Sequence, residues 1–258
     1  MKRIIPVLGL LLPVMACQKP AEPLPQKDVA FVSIRSFDTK AQIGTNKLLT
    51  WSDGDKISIV GEDMDNASEF TLTSGAGYSV ASFEGVKPEG ESYIVCCPSD
   101  ARCDGETFRG TLSTMVGHAV PNQQLGVLPM WGRTRDLSSV SLESPCGILK
   151  LELKGSVTLK SITMDAGKPV SGEFMYNIAA KLFAMIGGAG IVNMDASGTE
   201  LIPSRNVPFY FVLPPGEYDE MVFSITDSAG DTTYLPVDDT VVVEPGVITS
   251  VSFDLNAI

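Results

Sequence analysis

Histidine is almost missing from this chain: among 258 residues only His118 carries an imidazole. It stands beside Gly117, and no Gly-x-Ser-x-Gly nucleophile elbow accompanies it, so the sequence offers no Ser-His-acid hydrolase. Charge is scarce as well, at 19% of residues, and it is lopsided: 19 Lys and Arg against 31 Asp and Glu give a formal net charge of −12. A surface so acidic repels phosphate backbones, which disfavours both nucleic acid and anionic lipid, so no nucleic-acid partner is expected. Carboxylate pairs of the glycosidase kind arise by chance among so many acids, and nothing in their spacing singles one out. Zinc lacks its ligand spacing, because Cys96 and Cys97 are adjacent with no spacer and no His nearby. The acidic stretch Gly61-Glu62-Asp63-Met64-Asp65-Asn66 lacks the regularly spaced oxygens and closing Glu of a calcium loop. Gly187-Gly188-Ala189-Gly190 has no preceding strand and no following helix with Lys or Ser, so it is no phosphate cradle. Neither an enzyme nor a metal or cofactor is therefore expected.

What the chain has in quantity is punctuation. With 24 Gly and 17 Pro, it suits many short strands joined by turns, and the length allows two ordinary β domains. The amino terminus carries the most specific signal: Lys2 and Arg3, an apolar run from Ile4 to Leu12, then Val14-Met15-Ala16-Cys17. The run is too short to span a bilayer, is interrupted by Pro6 and is followed by Pro13, so residues 1–16 read as a lipoprotein signal peptide cut between Ala16 and Cys17. Lipid on the Cys17 thiol would anchor the protein to the outer membrane, since two or three acyl chains hold where one does not. Removing the leader takes two bases and no acid, so the mature charge is 17 − 31 = −14. Residues 17–28, Pro-rich and without a period, form the tether.

Strands follow. Val29 to Phe37 places Ala30, Val32 and Ile34 on one face and Val29, Phe31 and Phe37 on the other, which predicts a strand buried on both sides. Trp51-Ser52-Asp53-Gly54-Asp55 leads into Lys56-Ile57-Ser58-Ile59-Val60. Asp-Gly predicts a hairpin turn, and Trp51 a lid over the Ile57 and Ile59 face. Further strands are expected at Glu69 to Thr73, Tyr78 to Phe83, Tyr93 to Cys97 and Thr107 to Leu112. Besides Cys17 there are four cysteines, which allow three pairings in an oxidising compartment. Cys96 and Cys97 point to opposite faces of a strand, and the pairing expected across the Pro98 turn is Cys97 with Cys103. From Cys146 the pattern restarts: Leu149, Leu151 and Leu153 alternate, and Gly155 is expected to turn them into a hairpin with Val157 to Met164. Tyr176 to Val192 carries a helical stripe of Ile178, Leu182, Phe183 and Ile186, which predicts a short helix or irregular crossover. Met221 to Thr226 is expected to pair with Asp231 to Leu235. Val241 to Val243 and Val247 to Leu255 then close the sheet.

Several of these phrases, taken in order, resemble the fimbrillin family of Bacteroidales pilus and adhesin lipoproteins. They are Trp51 to Val60, Ser82-Phe83-Glu84-Gly85, Tyr93-Ile94-Val95-Cys96-Cys97-Pro98, Val120-Pro121-Asn122-Gln123-Gln124, and the aromatic strand Asn206 to Leu213 followed by Pro214-Pro215-Gly216-Glu217-Tyr218. The resemblance implies an all-β fold of two tandem β-sandwich domains, transthyretin-like and of Greek-key type, here residues 29–144 and 145–258. It also implies cleavage by a trypsin-like protease after the first strand, which matches Lys40-Ala41 in this chain. The family more often has Arg at that place. The function implied is that of a structural subunit, tip or anchor of a fimbria in cell adhesion, assembled with other fimbrial subunits by strand exchange. Val247 to Leu255 has the alternation a donor strand requires, with little tail beyond it. The alternative is a surface lipoprotein that does not polymerise and binds glycan or host protein through exposed aromatics, for which Trp131, Tyr78 and Tyr218 are the candidates.

Overall fold

Alternating apolar residues interrupted by glycine and proline turns dictate an all-β molecule. The computed structural model describes residues 26–35, 38–39, 49–61, 67–117 and 128–257, and no helix occurs among them. Seven strands form the first sheet, in the order Met130–Thr134, Tyr93–Cys97, Lys56–Gly61, Ala67–Ser74, Val80–Gly85, Asp28–Ile34 and Val140–Leu142. Its two outer strands meet: Trp131 and Glu143 exchange backbone hydrogen bonds, 2.9 Å each way. The sheet thereby closes on itself and leaves no free edge along that seam. Gly132 permits the approach, since a Cβ there would collide with the carbonyl oxygen of Ser141.

Inside the closed sheet lie Trp51, Ile57, Ile59, Phe70, Phe83 and Val95. Trp51 is the lid its position predicts, 2% exposed and edge-on to Phe83 with ring centroids 4.9 Å apart. The Asp53-Gly54 turn is real, with Gly54 at φ 86°, but it is not a hairpin. Trp51 instead bonds through its backbone to Gly77 and Tyr78, and Lys56–Gly61 pairs with Ala67–Ser74 and Tyr93–Cys97.

In the second half, the sheet Val207–Leu213, Gly147–Lys154, Val247–Asp254 and Asp38–Thr39 faces the sheet Thr232–Pro236, Val222–Asp227, Leu159–Asp165, Ile191–Asp195 and Met115–Gly117. The expected hairpin across Gly155 does not form, because Leu149, Leu151 and Leu153 meet Leu159, Ile162 and Met164 face to face across the core rather than edge to edge. Gly155 carries the chain from one layer of the sandwich to the other. As expected, Val222–Asp227 pairs with Thr232–Pro236. Pro214-Pro215 ends the aromatic strand, and the Tyr218 hydroxyl donates to the Pro214 carbonyl at 2.7 Å.

A fourth layer, Leu182–Met185, Gly172–Asn177, Thr107–Leu112 and Arg102–Asp104, covers the outer face of the closed sheet around Ile94, Cys96 and Trp131. Here a hairpin replaces the expected helix: Asn177 Oδ1 accepts the Ala180 N–H at 2.7 Å and Lys181 takes φ 53° to close the turn. Three ladders cross the expected division at 144/145, joining Thr107–Leu112 to Gly172–Asn177, Met115–Gly117 to Ile191–Asp195, and Asp38–Thr39 to Val247–Asp254.

Candidate assembly site at the first strand

The Asp28–Ile34 strand sits inside the closed sheet with a neighbour on each side. It pairs antiparallel with Val80–Gly85 over Asp28↔Gly85 to Ser33↔Val80, and parallel with Val140–Leu142 over Val32↔Val140 to Ile34↔Leu142. Hydrogen bonds beyond the ladders tie down its far end: Ile34 N–H to Ser79 at 2.9 Å, Arg35 N–H to Leu142 at 2.9 Å, and the Ser33 hydroxyl to Val140 at 3.0 Å. Ala30 and Val32 are 0% exposed and belong to the core around Trp51. The opposite face corrects the sequence expectation: Val29 and Phe31 are 43% and 48% exposed, because among the described residues no layer covers this part of the closed sheet. The strand is therefore apolar on both faces but buried on one.

After Arg35 the chain leaves the closed sheet, and Asp38–Thr39 pairs parallel with Val247 and Ile248 at the edge of the second-half sheet. Lys40 and Ala41 follow directly in sequence and lie outside the described residues, as do Ala16 and Cys17, His118, and the acidic stretch from Glu62 to Asn66. The opposing Val247–Asp254 strand is no loose tail. It pairs with Gly147–Lys154 over seven positions, from Ile148↔Ile248 to Lys154↔Asp254.

The cysteine pairing departs from expectation. Cys96, not Cys97, is bonded to Cys103. Cys96 points to the outer face, into the cluster that also holds Cys103, Ala101 and Cys146, whereas Cys97 points toward the core of the closed sheet. The two cysteines alternate in face as expected, but Cys103 lies on the side of Cys96. Cys97 remains a free thiol, pushed up to about 12 by burial and then by the Asp55 and Asp100 carboxylates. Burial pushes the free Cys146 thiol up as well, against the lowering effect of its hydrogen bond with Ser144.

Of the three aromatic candidates, Tyr218 is buried and Trp131 is half-buried against Tyr176; Tyr78, 72% exposed, remains on the surface. Among the described residues no group of three or more His, Cys, Asp or Glu side chains is placed to hold a metal ion. Three features of the site carried too little sequence signal. These are the short Val140–Leu142 strand, the Trp131 to Glu143 seam and the Leu182–Met185 edge. The apolar–polar–apolar Val140-Ser141-Leu142 is a strand signal, but too short to stand out.

No family model matches the chain, and no curated protein matches it. Solved structures do. A candidate cell adhesion protein of Bacteroides ovatus superposes with a TM-score of 0.52 at 13% identity, over 89% of this chain and 93% of its own. One of Bacteroides uniformis gives 0.51 at 12% identity, over 88% and 95%. One of Bacteroides fragilis gives 0.51 at 6% identity, over 88% and 93%. The class defined here is thus an all-β sandwich fold shared nearly end to end with these Bacteroides proteins.

Proposed function

We propose that the chain is a fimbrillin-like cell-surface protein, lipid-anchored through Cys17 to the outer membrane, and a subunit, tip or anchor of a fimbria that assembles by strand exchange. The observation that carries this reading is the placement of Asp28–Ile34 between two neighbours of a closed sheet, a few residues before Lys40-Ala41. Removing an edge strand leaves a sheet one strand narrower. Removing this one leaves a slot with unpaired N–H and C=O groups on both walls and an apolar floor once covered by Ala30 and Val32. An extended strand from another subunit refills both ladders at once. In this reading residues 29–144 carry the slot, residues 145–258 form the second domain, in which Val247–Asp254 is held by Gly147–Lys154, and the protein is no enzyme.

Incubation of the purified lipoprotein with a trypsin-like protease, amino-terminal sequencing and an unboiled detergent gel test the proposal. A new start at Ala41 with a ladder of stable oligomers is the expected result; a resistant monomer that keeps Asp28–Ile34 would overturn it. The anchor is tested by Cys17→Ala, which should release the protein from the membrane fraction and abolish the mass of added lipid.

The second reading, a non-polymerising binder of glycan or host protein, is favoured by one observation, the exposed ring of Tyr78. Tyr78→Ala that abolishes surface binding while the protease leaves a monomer would select it.

A further inference from the structure

Sheets that end in free edges need protection, and most edges here have it. Arg102–Asp104 is three residues long and charged, Met115–Gly117 is three residues long, Thr232–Pro236 ends in proline, and Val207–Leu213 carries Pro208. Each device discourages another strand from adding. The Leu182–Met185 strand has none of them. It is the outermost strand of its four-stranded sheet, no described residue pairs with its far side, and it continues into Ile186 to give Leu-Phe-Ala-Met-Ile without a charge or a proline.

The geometry of that edge is specific. Ile186 donates its N–H to the Glu173 carbonyl at 2.8 Å. By the alternation of an antiparallel ladder, Leu182, Ala184 and Ile186 direct their backbone groups inward to Gly172–Asn177, so those of Phe183 and Met185 face outward. The side chains alternate the other way. Phe183 and Met185 pack against the cluster around Phe108 and Phe174, while Leu182 is 67% and Ile186 50% exposed, with exposed Ala184 between them.

We propose that this edge is a dimerisation surface on which a second copy of the chain adds its own Leu182–Met185 strand antiparallel, giving one continuous eight-stranded sheet. The segment is its own complement. Running antiparallel about Ala184, Leu182 of one copy lies opposite Ile186 of the other, and Phe183 opposes Met185, so the outward backbone groups of each copy meet those of the other. The small Ala184 falls opposite itself on the two-fold axis, where a large side chain would crowd. Charge points the same way: at a net −12 two copies repel over most of their surfaces, and these five residues carry no acid. Strand addition here needs no cleavage, so it is separate from strand exchange at Asp28–Ile34 and does not rest on it.

The test uses the uncut full-length chain in detergent. Five residues a side make a small interface, so sedimentation is followed between about 1 and 200 micromolar. The expected result is a monomer-to-dimer transition in that range, lost in Ala184→Lys, where two ammonium groups would face each other across the axis. Because Ala184 is exposed, the variant should keep the wild-type Tm, and an unchanged Tm shows that the loss is not unfolding. As a second readout, Ala184→Cys should form an inter-chain disulfide under mild oxidation that the wild type does not, since residues directly opposite in an antiparallel pair stand at bridging distance. A monomer at every concentration overturns the proposal, and so does a dimer indifferent to Ala184→Lys, higher-order aggregation in place of a dimer, or an Ala184→Cys chain that does not cross-link.

Discussion

The closed first sheet and the open sheets of the second half obey the same hydrogen-bond arithmetic and reach opposite results. In the closed sheet every strand has two neighbours, so a new strand enters only if an old one leaves. In the open sheets an unguarded edge accepts a strand with nothing removed. Asp28–Ile34 and Leu182–Met185 are the two clearest cases. The first contributes Ala30 and Val32 to a core and closes two ladders; the second presents Leu182 and Ile186 to solvent and closes one. Replacement demands a trigger, such as a cut at Lys40-Ala41, while addition demands only concentration. The Cys96–Cys103 disulfide joins the two regimes, because Cys96 belongs to the closed sheet and Cys103 to the layer that ends in Leu182–Met185.

The sharpest way to weaken the closed sheet alone is Trp51→Ala. Its ring is buried among residues of that sheet, and the substitution should cost about 3 to 5 kcal/mol, read by urea denaturation. Trp51→Phe should cost much less, because among the described residues the indole Nε1 has no hydrogen-bond partner to lose. Cutting the link between the two regions comes next. Cys96→Ser with Cys103→Ser should lower stability by about 2 to 3 kcal/mol for a loop this short, whereas Cys97→Ser should leave the disulfide intact by peptide mapping. The seam is then tested by Gly132→Ala, whose Cβ meets the Ser141 carbonyl. A loss of about 1 to 3 kcal/mol and faster amide exchange at Trp131 and Glu143 are expected. The smallest effect belongs to Arg35→Ala. Its ion pair with Glu143 spans 2.7 Å, but the two side chains are 66% and 40% exposed, so the loss should stay below about 0.5 kcal/mol.

Much of this architecture was legible in the sequence because local alternation was strong. Tyr93–Cys97 and Thr107–Leu112 fall where their periods put them, and Trp51 packs as its place before Ile57 and Ile59 implied. What failed depended on partners distant in the chain. Val29 and Phe31 look buried by composition, yet burial needs a covering layer, and that layer stops short at the Trp131 side of the sheet. Leu149 to Leu153 and Leu159 to Met164 read as neighbours in one sheet, but an apolar period of two fits facing layers equally well. Leu182, Phe183 and Ile186 matched a helical stripe by coincidence of spacing. The turn that contradicts it rests on the Asn177 side chain and the left-handed Lys181, neither of which composition reveals. At the candidate site the strand was legible from its alternation and its second wall, Val140–Leu142, was not, while Lys40-Ala41 is implied by the resemblance alone and lies outside the described residues.

If the place of Asp28–Ile34 is a slot filled by exchange, a covalent lock on that strand should prevent assembly. Phe31 and Ser82 are register partners on the outer face, so Phe31→Cys with Ser82→Cys should bridge at ordinary disulfide distance without entering the core. After cleavage at Lys40, the locked chain should remain monomeric on an unboiled gel, and reduction should release the strand and restore the oligomer ladder. A wild-type chain carried through the same reduction controls for loss of the Cys96–Cys103 bond. A ladder that forms equally well with the lock closed, or fails to form once the lock is opened, would contradict the account.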